Sequence, residues 1–250
     1  DMEDMFRNAR AFNQDVHSWN TGAVLKMASM FRDAAAFNNG NQPLPTTVNG
    51  WDTRAVTGMY GMFYGAAVFN QPIGTWFTSV VANMGYMFRD ARAFNQDINN
   101  WNTGAVTSMH YMFRDAVAFN NGEVGNAGAN PLNGWNTAAV TKMDYMFRGA
   151  SAFNQDISGW NTAAVTNMHS MFYGATVFNQ AIPTNGNQWN TALVTDMQSM
   201  FRDAAAFNRD ISSWNMAAVK DVSSMFRGAA VFNQDIRGWA TGAVEDMNYM

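Results

Sequence analysis

From Val165 onward the apolar residues fall at Met168, Met171, Phe172 and Ala175, with polar or small residues between them. Steps of 3, 3, 1 and 3 place these side chains on one face and predict a helix of about three turns or fewer. Upstream, Phe153-Asn154-Gln155-Asp156-Ile157 alternates, with Phe, Gln and Ile on one side and Asn and Asp on the other. That alternation predicts a short extended strand. Ser158-Gly159 then reads as a turn, as do Asn99-Asn100 and Asn133-Gly134 in equivalent places. Trp160-Asn161-Thr162 leads back to the next apolar run, with Asn or Thr as the expected helix N-cap.

This pattern is one unit, repeated. Met-Phe occurs at Met5, Met30, Met62, Met87, Met112, Met146, Met171, Met200 and Met225, and the chain reaches Met250 where the next would stand. A period of 25 residues explains every spacing once insertions of 7, 9 and 4 residues are allowed in the second, fifth and seventh units. The columns read M-x-x-M-F-x-x-A-x-x-F-N-Q-D-I-x-x-W-N-T-x-x-V-T, and all nine Trp, from Trp19 to Trp239, share one column. A unit this short cannot bury its apolar face alone, so it is expected to stack on its copies as a solenoid. The stack predicts ladders of Phe, Met, Val and Trp. The Asn after each second Phe predicts a further ladder of side-chain amides that satisfies backbone groups.

The motif from Met146-Phe147-Arg148-Gly149-Ala150 through Phe153-Asn154-Gln155-Asp156-Ile157 to Trp160 and Val165 resembles the repeat of the BspA-like leucine-rich-repeat surface proteins. The resemblance implies an α/β fold: a right-handed leucine-rich-repeat-like solenoid of about nine 25-residue turns, each a short strand plus a short helix. It further implies a cell-surface or extracellular location and adhesion or binding as the broad role. It supplies no catalytic residues. The whole of 1–250 is expected to be a single repeat array, and its start and stop in mid-motif are expected to mark part of a longer array or rods that stack end to end.

Composition changes this picture mainly by exclusion. The chain contains no Cys, which removes thiolate metal sites and Cys nucleophiles. A net charge of -4 and a pI near 5.2 argue against nucleic acid as a partner. Hydrophobic residues make up 48% of the chain, enough to bury a core, yet no apolar run is long enough to span a membrane. The Met, Phe and Trp excess is one unit's core multiplied.

Candidate chemistry is sparse, and the expectation is a protein that is not an enzyme, with no catalytic, cofactor or metal site. The Met pairs suggest a soft-metal box only until their spacing marks them as core. Of the histidines His17, His110 and His169, the last two share a variable column with Glu3, Tyr60, Asp144 and Gln198, which reads as a solvated position. Arg7, Arg32, Arg89, Arg114, Arg148, Arg202 and Arg227 form a stripe that reads either as a groove for an anionic polymer or as a solubilising row over the Phe below. Asp33, Asp90, Asp115 and Asp203 partly neutralise it.

Gln14, Gln96, Gln155 and Gln234, with Asp15, Asp97, Asp156, Asp210 and Asp235, form a row of constant chemistry. Such a row suits a periodic ligand: a glycan chain, a crystal surface or another copy of the chain. The Thr pairs Thr103/Thr107, Thr137/Thr141, Thr162/Thr166 and Thr191/Thr195 raise ice binding, against plain capping. The insertions, within 39–49, 121–131 and 181–188, all enter between Phe-Asn and Trp and are rich in Gly, Pro and Asn. They are expected on one rim, where a polysaccharide or another surface protein is the expected partner. The alternative is a filament subunit stacking end to end.

Overall fold

In the computed structural model, residues 1–44, 51–123 and 132–250 are described. Parts of two insertions, residues 45–49 and 124–131, lie outside them. The chain winds in successive 25-residue units, each laid on the next. The expected strand-plus-helix unit is overturned. Among the described residues there is no α-helix and no extended sheet strand. The helical elements among the described residues are two 3-10 segments, Asn39–Asn41 and Leu132–Gly134. Consecutive units are joined by single parallel bridges in one column: Lys26, Gly58, Asn83, Ser108, Lys142, Asn167, Asp196, Asp221 and Asp246.

The backbone explains why no helix forms. Each Met-x-x-Met-Phe segment holds two residues with left-handed φ, four positions apart: Tyr111 and Asp115, Tyr145 and Gly149, Ser199 and Asp203. An α-helix of L-residues cannot absorb such a conformation at every turn. The N–H groups therefore divide. Met109, Tyr111, Phe113 and Asp115 donate to the carbonyls of Lys142, Asp144, Met146 and Arg148 in the next unit. The residues between them close four-residue turns, as Met112 to Met109, Arg114 to Tyr111 and Ala116 to Phe113. Apolar steps of three are thus the steps of linked turns rather than of a helix face. In this segment every inter-unit N–H points toward the later unit.

The expected ladders form the core. Met109, Met112, Phe113, Val106 and Ala116 are fully buried, as are their counterparts in the neighbouring units. The two Phe of a unit stack at 3.8 Å between centroids in the Phe113–Phe119 pair. Successive units follow at 5.5 Å for Phe88–Phe113 and 5.6 Å for Phe113–Phe147. The indoles stack in places, Trp135 on Trp160 at 6.1 Å and Trp189 on Trp214 at 6.2 Å. Each indole N–H from Trp51 to Trp239 also donates 2.7–3.1 Å to the Ile-position carbonyl of the preceding unit, as Trp135 Nε1 to Ile98 O. This bond identifies Leu44 and Leu132 as the Ile-position residues of the units with long insertions. The insertions accordingly enter two joints, one before the Ile position and one after it.

Candidate functional site

Most of the repeated polar side chains are spent on holding units together. Each Asn after the second Phe accepts, through Oδ1, the backbone N–H of the same Asn in the next unit. The run is unbroken from Asn13 to Asn233, at 2.7–3.1 Å. The amide ladder expected from the sequence is therefore present. The Gln beside it belongs to the same framework: Gln96, Gln155 and Gln234 donate to Asn70 O, Asn120 O and Asn208 O. Asp15, Asp97, Asp156, Asp210 and Asp235 each accept the N–H two residues on, a local turn-forming bond. Gln14 is the exception, exposed in the first unit. Of the row read as a periodic ligand surface, the other Gln side chains are scaffolding between units, while Asp15, Asp97, Asp210 and Asp235 stay exposed.

The threonines split into two columns. Thr103, Thr137, Thr162 and Thr191 are buried and donate to Asn136 O, Asn161 O, Asn190 O and Asn215 O of the next unit. They cap no helix and face no ligand. Thr107, Thr141, Thr166 and Thr195 are exposed, and each donates to a carbonyl of the preceding unit, leaving its oxygen lone pairs outward.

The arginine stripe is also occupied. Arg89 and Arg114 pair with Asp90 and Asp115 at 3.2 and 3.1 Å. Tyr64, which replaces Arg in its unit, lies between Arg32 and Arg89 at 4.6 and 4.8 Å from ring centroid to guanidinium carbon. Tyr173 lies likewise between Arg148 and Arg202 at 4.8 and 5.0 Å. Cation–π stacking and neighbouring carboxylates leave little unpaired positive charge for an anionic polymer.

What remains is a place where the repeat varies. His110, Asp144 and His169 follow one another in a single column, with Tyr86, Tyr111 and Tyr145 stacked beside them at 4.6 and 4.4 Å. The two histidines are half-buried, which corrects the expectation of a solvated position. The His110 ring meets Tyr86 edge-on at 5.0 Å, and His169 packs on Tyr145 at 4.7 Å. His110 Nδ1 lies 2.6 Å from Ser108 Oγ, and His169 Nδ1 lies 3.4 Å from Asp196 Oδ2. His17 stands apart, against Asp15 at 2.7 Å.

Against this column opens a cleft of about 320 Å³ lined by His110, Lys142, Asp144, Thr166, Asn167 and Thr195. Burial depresses the His110 pKa and raises that of Asp144, although the nearby His110 pulls Asp144 back. Burial also pushes Asp196 up, but the hydrogen bonds from His169, the Gln198 N–H and Asn167, together with the charge of His169, outweigh it and the net shift is downward. Among the described residues no group of three His, Cys, Asp or Glu is placed to hold a metal ion. The individual residues of the cleft were visible in the sequence, but their convergence was not, because they come from three different columns and from units whose facing is set only by the stacking.

Among the described residues no helix is long and apolar enough to cross a membrane. No curated protein matches the chain. A family described as Mycoplasma protein of unknown function, DUF285, matches residues 1–46, 39–127, 125–187 and 184–250, four copies in tandem. With the match running from one end of the described units to the other, the chain belongs to that family of repeat proteins.

Proposed function

We propose that the chain is a non-enzymatic binding scaffold that acts in adhesion at a cell surface. One observation carries this reading: the constant polar side chains are consumed in bonds between units. That is true of the Asn, Gln and buried Thr columns, and with the constant Asp tied into local turns the strongest differences between units lie in the His110–Asp144–His169 column and the insertions. The resemblance of the Met-Phe to Trp motif to BspA-like surface repeats supports the location and the adhesive role. Surface plasmon resonance over immobilised polysaccharides and matrix proteins tests it. The chain should bind at least one of them, and resetting the insertions and the variable column to the common repeat residues should abolish binding. Equal binding by the reset variant would sink the reading.

End-to-end assembly is a second reading, supported by the single sense of the inter-unit N–H bonds in the Met-Phe segment, which makes an exposed segment of one coil complementary to that of another. Sedimentation velocity at rising concentration separates the two, since a dispersed monomer is inconsistent with assembly.

A further inference from the structure

The cleft is built for a particular chemistry. Its six lining side chains are all polar and polar atoms dominate its surface, so it offers an apolar ligand little area to bury. Lys142 and Asp144 bring opposite charges and lie close enough to interact, which leaves no net attraction for an ion of either sign. What remains is an interleaved set of donors and acceptors. The Lys142 ammonium makes no ion pair or hydrogen bond among the described residues. Thr166 and Thr195 donate to Thr141 O and Thr166 O and keep their lone pairs free. Asn167 accepts the His169 N–H through Oδ1 and its amide hydrogen-bonds the Asp196 carboxylate, so one amide hydrogen is left for a ligand, while Asp144 offers carboxylate oxygens.

A molecule that meets such a set carries several hydroxyls, each able to donate and accept at once. The volume lies at the lower end of the ~300–1,000 Å³ range of small-molecule sites. We propose that the cleft lined by His110, Lys142, Asp144, Thr166, Asn167 and Thr195 is a subsite for one neutral saccharide residue. This rests on the binding-scaffold reading and deepens it: Asp144 and the threonines accept from sugar hydroxyls, and Lys142 and Asn167 donate to them.

The test is a titration of the isotope-labelled full chain, followed by amide NMR, with glucose, galactose, mannose and N-acetylglucosamine in turn. Sodium phosphate and sodium acetate serve as anion probes. At least one sugar should move the amides of Lys142, Asp144, Thr166 and Thr195 saturably. Asp144→Ala should raise its Kd at least tenfold. Thr195→Val should weaken binding without removing a charge, and Lys26→Ala, in the Lys142 column four units away, should leave Kd unchanged. Near-ultraviolet circular dichroism of the Trp ladder identifies any variant that has lost its fold, and the remaining variant then decides.

No saturable shift with any of the four sugars overturns the proposal. So does a stronger response to phosphate or acetate, or an Asp144→Ala variant that folds and binds as before. Retention of the chain on immobilised polymer with no sugar response in the cleft would sink this subsite while leaving the scaffold reading intact.

Discussion

At the residue scale, the informative column is the second residue after Met-Phe. It holds Asn8, Asp33, Gly65, Asp90, Asp115, Gly149, Gly174, Asp203 and Gly228, and no other residue types. All nine adopt left-handed φ, between 56° and 75°. Gly, Asn and Asp are the residues that tolerate this region, so the restriction is conformational. The sequence carried this signal, but the i, i+3 apolar steps suggested a helix and the Asp members looked like partners for Arg. Asp115→Gly should stay within about 1 kcal/mol of the parent, since it loses only a partly exposed ion pair. Asp115→Ala should cost about 1–2 kcal/mol more than Asp115→Gly, because it adds a Cβ in the left-handed region. At Gly149 an added Cβ also meets the Asp115 carboxylate, so Gly149→Ala should be the worst of the three. Urea unfolding ranks them.

At the element scale, the units are joined by side chains as much as by backbone. Asn154→Ala removes the acceptor for Asn179 N–H at 2.9 Å, and Trp135→Phe removes the donor to Ile98 O at 3.1 Å. Each leaves a buried group unpaired and should cost about 1–3 kcal/mol in denaturant unfolding. The Asn and Trp ladders were legible from their constant columns. The cleft was not, because it assembles from units 25 to 34 residues apart and from variable columns whose members the repeat pattern does not bring together.

That cluster also sets a pH dependence. Burial holds the folded His110 pKa below its ordinary 6.5, so as pH falls the unfolded chain takes the proton first. The folded state is therefore fully favoured above about pH 6.5 and loses stability as pH falls through that value toward the depressed folded pKa. Thermal midpoints measured from neutral pH downward should show this decline, and His110→Gln should flatten it. An unchanged slope in the variant would place the effect elsewhere.

For the whole molecule, the unit of tolerance is 25 residues. Removing Val81 to Ala105 brings Val106 into the place of Val81 and leaves every column continuous. The shortened chain should fold cooperatively, with a denaturant slope reduced in proportion to the surface lost. Removing Val81 to Arg92 deletes half a unit and joins unlike columns, and that chain should lose the near-ultraviolet signal of its Trp stack. The repeat was fully legible in the sequence. The path of the backbone within a unit was not, since apolar spacing alone does not distinguish a helix from linked four-residue turns.

The single sense of the Met-Phe hydrogen bonds has an evolutionary consequence. A duplicated unit, wherever it is inserted, meets carbonyls ahead of its N–H groups and N–H groups behind its carbonyls. Unequal recombination between copies can therefore lengthen or shorten the gene in whole units without creating a seam. A reversed unit would set donor against donor, so variation in array length is cheap while variation in direction is forbidden.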